Sequence, residues 1–332
     1  MYLMPKASKV TTKTLAVELG VSQRAVSEAL NNPENKIGLK QSTIERIRAH
    51  AAKRGYRPNV AAREMRLQQV RDVGFLLSSH ELEGSASVLE GVLPGMLDRL
   101  GEMNRGLRVN RMTDEALSDP LIMRDLLTRW GVAGLIINYL YDEPDGFRGF
   151  VHETHMPAVW VNNLHASDSV LPDDFAAGCE ITRRFLATGS QRPAYIDLYP
   201  SHHYSCTERR EGYAKAMREA KMQPLVLEGD AGHLAEWFDA HDPDALFIYN
   251  IYSFLFIEHF LRERGRDDLR RVFVNEQSKM ALSPYAQVMI VRGRELGKVA
   301  VEMLVRKLET GEDQPNVRVP LPIPELSPVH VS

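Results

Sequence analysis

Three pairs of neighbouring polar residues carry the side chains of catalysis: Asp173-Asp174, His202-His203 and Ser78-Ser79. Two carboxylates can divide general acid and base work, and a serine can be activated by a histidine. Adjacent residues on a helix or strand point in different directions, however, so neighbours in sequence are poor evidence for a shared site. The chain contains no GxxxxGK[ST] or HExxH motif and no convincing GxGxxG phosphate loop. Cys179 and Cys206 lie 27 residues apart without metal-binding spacing, and read as buried free thiols. No catalytic residue, metal or cofactor is expected.

Recognition chemistry is concentrated near the N-terminus, at Ser22, Gln23, Arg24, Ser27 and Glu28. Arginine suits guanine and glutamine suits adenine, each through paired hydrogen bonds in a major groove. Glu28 can accept from a cytosine amino group, or orient Arg24 four residues before it. These residues belong to TLAVELGVSQRAVSEALN, Thr14 to Asn31, which reads as two short helices joined by a glycine turn. Leu15, Ala16 and Leu19 stripe the first helix, Gly20 makes the turn, and Ser22 is an N-cap for the second. Val26, Ala29 and Leu30 recur at helical spacing toward a small core. A plain helical hairpin with a solvated face is the alternative reading of these residues alone.

The downstream sequence extends the head. In QSTIERIRAHAA, Gln41 to Ala52, Ser42 and Glu45 have the spacing of a capping box before a third helix. In GYRPNVAAREMRLQQ, Pro58 disfavours helix at Arg57, and Asn59 can cap a short hinge helix to about Arg66. Charge is divided the same way. Residues 1–70 hold 13 Lys and Arg against 5 Asp and Glu, leaving 28 against 39 in the rest. The basic residues alternate with apolar helix positions, which favours a folded basic module over a basic tail.

These motifs give the chain a resemblance to the LacI/GalR (lactose-repressor) family of transcriptional regulators. Ala16, Gly20-Val21-Ser22, Leu30-Asn31 and Tyr56-Arg57-Pro58-Asn59 match its pattern, and GVAGLIINYLYDEPD, Gly131 to Asp145, looks like its third regulatory strand and exit loop. Two departures stand out. The segment Asn32 to Gln41 is longer than the family's usual turn, and Met65 stands where a minor-groove leucine is common. The resemblance implies DNA contacts from Asn31, Tyr56, Asn59, Ala62 and Met65 beside the recognition-helix residues.

The body alternates short apolar runs (DVGFLL, GLIINY, PAVWVNN, RPAYIDLY, PLVLEG, ALFIYN, VFVNE, VMIVRG) with helical patterns, so parallel sheets covered on both faces are expected. Helices are expected at about Val88–Leu100, Leu121–Trp130, Asp174–Ala187, Glu208–Ala220, His233–Ala240, Phe254–Arg264 and Glu295–Leu308. The expected fold is an all-α helix-turn-helix head (1–58), a hinge helix and linker (59–70), and an α/β body (71–332). The family resemblance implies that the body is two-lobed and periplasmic-binding-protein-like. Lobe 1 would take about 71–161 and 286–320, and lobe 2 about 162–285.

The resemblance also implies an effector site between the lobes. Arg209 in TERREGY, Asn250 ending ALFIYN and Glu276 in VFVNEQ match its ligand-contacting positions, with Asn162 and Asp173 as further candidates. Ile251 and the run Val274-Asn275-Glu276-Gln277 depart from the usual acidic pattern, and the longer Glu276 side chain shortens the cavity. An Arg, an Asn and a carboxylate suit a polyhydroxylated ligand. The expectation is a non-enzymatic regulator, a repressor of carbohydrate-utilisation genes, that binds palindromic operator DNA as a homodimer and answers to a sugar or sugar derivative. A regulator of a non-sugar metabolite and a solute-binding protein are the alternatives. With no signal peptide and no run of roughly 18 uncharged apolar residues, a cytoplasmic location is expected, without membrane association. No heptad tail follows the last strand, so a dimer rather than a tetramer is expected.

Overall fold

Thr11 sets where the first helix begins: its backbone is extended and its hydroxyl accepts the Thr14 amide at 3.1 Å. Helix α1 (Thr12–Leu19) ends at Gly20, whose φ of 64° a residue with a Cβ reaches at a cost of about 1–2 kcal/mol. The chain turns there, and Ser22 caps α2 (Gln23–Asn31) by accepting the Ala25 amide at 3.1 Å. Helix α3 (Gln41–Lys53) closes a core of Leu15, Val26, Ala29, Ile44 and Ile47. The capping box expected at Ser42 and Glu45 does not form. Lys40 is the N-cap without a side-chain bond, Ser42 lies inside the first turn, and Glu45 accepts from Gln41 Nε2 at 3.0 Å. The short range of that i,i+4 contact takes the glutamate away from the helix start.

The structure, a computed structural model, describes residues 10–31, 37–56, 71–78, 90–139, 143–144, 146–229, 231–275 and 284–326. Its contacts divide the chain into residues 1–70 and 71–332, each taken by itself below. The hinge helix expected from Asn59, with Ala62 and Met65, and the candidate Glu276 lie outside the described residues.

The body begins with β1 (Val73–Ser78), α4 (Val92–Glu102), β2 (Leu107–Met112), α5 (Asp114–Ser118), α6 (Pro120–Trp130), β3 (Gly134–Asn138), α7 (Phe147–Glu153), β4 (Ala158–Val161) and β5 (Ser169–Pro172). Then come α8 (Asp174–Ala187), β6 (Pro193–Asp197), α9 (Tyr204–Glu219), β7 (Leu225–Glu228), α10 (Leu234–His241), β8 (Ala245–Ile248), α11 (Ile251–Glu263) and β9 (Arg270–Asn275). The last elements are β10 (Ala286–Ile290), α12 (Gly293–Thr310) and β11 (Val317–Val319). Six strands form one sheet in the order β11-β5-β4-β3-β1-β2, and five form a second in the order β10-β9-β8-β6-β7, with parallel pairing throughout. One face of the first sheet packs Leu76, Ile137, Met123 and Phe147, and one face of the second packs Ile196, Ile248, Phe254 and Phe273. Their other faces share a core running from Phe75 and Val159 to Tyr195 and Phe247. Strands buried on both faces explain the uninterrupted apolar runs of the sequence.

Pairing moves the expected lobe boundaries. β5 pairs with β4 and β11 in the first sheet, so the chain crosses after Pro172 rather than near Val161. β10 pairs with β9 in the second sheet, so the return comes after Ile290 rather than near Tyr285. The reason is register: Ser169–Pro172 finds its partner in Val317–Val319, far along the chain, which no local pattern announces.

A candidate recognition helix and a buried polar cluster between the sheets

On the head, Ala25, Val26 and Ala29 turn inward while Gln23 and Arg24 are exposed and Ser27 and Glu28 half-buried. Gln23 is also anchored, donating from Nε2 to Thr12 Oγ1 at 3.0 Å. Ser22 is exposed but spends its hydroxyl on the cap, and Tyr56 packs against the head core. Asn31 closes α2. The helices behind α2 are clamped to one another, and one of them holds α2 directly. Glu18 on α1 accepts from Arg54 at 2.7 and 3.0 Å and lies 2.7 Å from His50, while Arg48 donates to the Ala29 carbonyl at 2.9 Å. Hydrogen bonds from Arg54 and then His50 hold the Glu18 carboxyl below its usual range. The result is a short helix with its polar edge outward, a shape that fits a major groove.

In the body, polar residues gather where strands of both sheets end, the position at which open parallel sheets take ligands. Arg209 on α9 is buried, donating from Nε to Asp174 Oδ1 at 2.7 Å and from Nη1 to the Tyr249 carbonyl at 2.7 Å. Its guanidinium lies 4.6 Å from the Tyr249 ring centroid. Close packing of α8 on α9 brings Asp174 to it: a Cβ on Gly178 would stand 2.4 Å from the Arg209 carbonyl, and one on Gly212 2.2 Å from that of Phe175. Burial pushes the Asp174 carboxyl up, against the pull of Arg209. Asp174 Oδ2 has no hydrogen-bond partner among the described residues.

Beside this pair, Asn162 adopts a left-handed conformation (φ 58°) and is buried. Its Oδ1 accepts from the Tyr204 hydroxyl at 2.9 Å, and its carbonyl lies 3.0 Å from His203 Nε2. Burial drives His203 down to about 4, so at neutral pH Nε2–H donates to that carbonyl while Nδ1 accepts from Ser205, 2.7 Å away. A serine bonded to a histidine has the outline of a nucleophile and its base. Ser205, however, is 2% exposed and also bonded to the Tyr249 hydroxyl at 2.9 Å, which makes it packing. Asp197, at the end of β6, accepts the Tyr199 amide at 3.2 Å, and burial raises its carboxyl to about 6. Both cysteines are buried and free, and no described group of three His, Cys, Asp or Glu is disposed to hold a metal.

Of the candidates named from sequence, Arg209 and Asn162 fall within this cluster. Asn250 stands at its edge, next to Tyr249, and uses its side chain to cap α11 by accepting the Ser253 amide at 2.9 Å. Asp173 is half-buried and caps α8 at the Ala176 amide, 3.2 Å away, while its neighbour Asp174 meets the arginine. Asp174, His203, Tyr204 and Tyr249 were not singled out as ligand-site residues. Their common signal is position: Asp174 and Tyr249 follow strand ends directly, and His203 and Tyr204 open the helix that follows β6.

Two parallel sheets joined by repeated crossovers, with a polar cluster at their carboxyl ends, define a periplasmic-binding-protein-like body, here preceded by a helix-turn-helix head. The family described as periplasmic binding proteins and sugar binding domain of the LacI family matches residues 106–320, and the chain belongs to the LacI/GalR family. It is similar to the HTH-type transcriptional regulator RafR of Escherichia coli, 24% identical over 224 residues that cover 66% of this chain and 64% of RafR. It is also 23% identical over 319 residues to the HTH-type transcriptional repressor PurR of Photobacterium profundum, covering 90% and 92% of the two chains. The chain spans less than two thirds of the length of the first curated relatives that it matches. Its fold is like that of the Lac repressor bound to ONPG, with a TM-score of 0.75 at 20% identity and 95% and 98% of the chains covered. Among the described residues no helix is long and apolar enough to cross a membrane.

Proposed function

We propose that this chain is a sequence-specific DNA-binding transcriptional regulator, acting as a repressor of carbohydrate-utilisation genes under control of a small polar effector. The observation that carries the reading is the exposed edge of α2, where Gln23 and Arg24 stand on a helix tied to α3 by Arg48, with α1 and α3 clamped together by Glu18 and Arg54. The basic balance of residues 1–70 supplies the phosphate-directed part of binding, so affinity falls steeply with salt. A second copy of the chain completes the unit: one head offers few contacts, and the body exposes Leu93, Leu97 and Val109 on α4 and β2, and Tyr252, Leu255 and Phe256 on α11. The operator is then a near-palindrome. The hinge segment from Asn59 is proposed to order as a helix on the operator, with Asn59 and Ala62 contacting DNA and Met65 entering the minor groove at its centre.

The effector is proposed to bind at the cluster of Arg209, Asn250, Asn162 and Asp173, with Glu276, and to be a sugar or sugar derivative. Support comes from the position of the cluster at the strand ends of both sheets and from its supply of directional polar groups. Binding-site selection from a random duplex library tests the DNA reading. The parent should enrich a two-fold symmetric site, and Arg24→Ala should relax one base position per half-site, worth about 1–3 kcal/mol. Enrichment of no site by the parent, or of an unchanged site by the variant, would refute it.

A further inference from the structure

The body holds a cavity of about 450 Å³ at the opposite end of the first sheet from the strand ends just described. Pro157 and Ala158 open β4 on one side of it, Ser167 and Asp168 lead into β5 on another, and the C-terminal end of α12 closes it. Its size lies in the range of small-molecule sites, which runs from about 300 to 1,000 Å³. One wall is aromatic: the Trp160 indole and the His165 imidazole pack together at a 41° tilt with centroids 4.4 Å apart. Val151 and Met156 add apolar surface beside them.

The charges around the cavity are unequal in what they have left to offer. Asp168 and Asp313 both receive the Lys307 ammonium, at 2.6 and 2.9 Å, and Asp168 also accepts the Gln314 amide at 2.8 Å. Glu143, behind the wall, lies 3.0 Å from His165 Nε2 in a contact too poorly aligned to be a hydrogen bond. Arg148 is different: its side chain is 64% exposed and its ion pair with Glu143 is long, at 3.4 Å. A guanidinium has five N–H donors in a planar fork that matches a carboxylate. The buried Trp160 Nε1 and His165 Nε2 lie against the Glu143 carboxylate behind the wall, so they offer the cavity no free donor. Asp168 and Asp313 are therefore satisfied by Lys307, and the bonding capacity left facing the cavity is that of the exposed Arg148 guanidinium beside an aromatic wall.

We infer that this cavity binds a planar aromatic carboxylate, the ring against Trp160 and His165 and the carboxylate on Arg148. The site is separate from the proposed effector cluster and does not depend on it. Isothermal titration of the full chain with 2-naphthoate, with the neutral 2-naphthamide as control, tests the inference. The parent should bind 2-naphthoate saturably and the amide at least tenfold more weakly. Arg148→Ala should weaken 2-naphthoate at least tenfold, and Ala166→Trp, which places a ring in the cavity from an exposed position, should abolish its binding. Circular dichroism and unfolding midpoints matching the parent establish that both variants are folded. No saturable binding by the parent, an amide bound equally well, or binding that survives either folded variant would overturn the inference.

Discussion

Replacing Arg209 with methionine is a sharp test of the buried cluster, because the change leaves a carboxylate without its cation. Asp174 is fully buried, its Oδ1 is 2.7 Å from Arg209 Nε, and its Oδ2 has no described partner. Breaking a buried pair from one side costs about 3–5 kcal/mol, whereas replacing both partners by apolar groups of similar volume is often close to neutral. Proton uptake sets a ceiling on the loss. Asp174 can escape its charge by protonating, which at pH 7 costs at most about 4 kcal/mol, about 1.4 kcal/mol for each unit above its ordinary 3.8, and less to the extent that burial already raises the carboxyl in the parent. The ceiling falls with pH, to about 1.6 kcal/mol at pH 5. The sign follows: in the variant the folded-state pKa of Asp174 is raised, so the deficit is largest above that pKa and shrinks as the folded chain takes up the proton. Urea unfolding followed by far-ultraviolet circular dichroism at pH 7 and pH 5 measures it, provided the slope with denaturant is unchanged. Arg209→Met should lose about 3–4 kcal/mol at pH 7 and at most half of that at pH 5. Asp174→Leu with Arg209→Met should recover most of the loss. A deficit under about 1 kcal/mol at pH 7, or one equally large at pH 5, would refute the reasoning.

Other outcomes follow from the same geometry. His203 is held at about 4 against an ordinary 6.5, so its contribution is complete above pH 6.5 and lost, up to about 3 kcal/mol, as pH falls toward 4; Asp197, raised from 3.8 to about 6, contributes in the opposite sense over nearly the same window. Their effects offset in the parent, and acidification from pH 7 to pH 4.5 should stabilise His203→Gln and destabilise Asp197→Asn relative to it, as read from thermal midpoints. Gly20→Ala forces a side chain into φ 64° and should cost about 1–2 kcal/mol in the head; an unchanged midpoint for its unfolding counts against the turn. Leu97→Glu, on an exposed apolar position of α4, should shift the chain toward monomer in sedimentation velocity at micromolar concentration, and an unchanged profile would move the proposed dimer face elsewhere.

The elements most legible in sequence are those whose determinants are local. Asp174–Ala187 was bounded at both ends because an amphipathic pattern and an acidic cap coincide there, and the second helix of the head was marked by Gly20 and Ser22. Misplaced starts trace to caps of unusual chemistry. Helix α9 begins at Tyr204 rather than Glu208 because His203, rather than a serine or aspartate, receives the Ser205 amide. Helix α11 begins at Ile251 rather than Phe254, its cap being the same Asn250 that was assigned to a ligand. The short strand Ser169–Pro172 went unmarked because its pairing depends on Val317–Val319, and the lobe boundary moved with it. Within the cluster, Arg209 was legible through the motif TERREGY. Its partner was not, since Asp173-Asp174 offers two carboxylates and only the packing of α8 on α9 selects which one meets the arginine.

That selection bears on how a ligand can act at the cluster. Nearly every polar group there already has a partner: Arg209 has Asp174 and the Tyr249 carbonyl, Asn162 has His203 and Tyr204, and Asn250 and Asp173 have helix amides. Binding of the proposed effector at such a site would be exchange rather than the filling of unmet valences, and an exchanged hydrogen bond contributes only about 0.5–1.5 kcal/mol net. The contacts most open to exchange are those joining the two sheets. Tyr204 and His203 on the α9 side meet Asn162 at the end of β4, and Glu208 on α9 holds Arg318 of β11 through two contacts of 2.6 and 2.7 Å. A ligand that replaces the Tyr204–Asn162 bond acts directly on the linkage between the sheets, so a difference of one or two such bonds between two arrangements matches the usual allosteric coupling of about 1–3 kcal/mol. Tyr204→Phe removes that bond while keeping the ring, and on the proposed function should therefore change the effector's influence on operator affinity more than operator affinity itself, as titrations with and without effector would read.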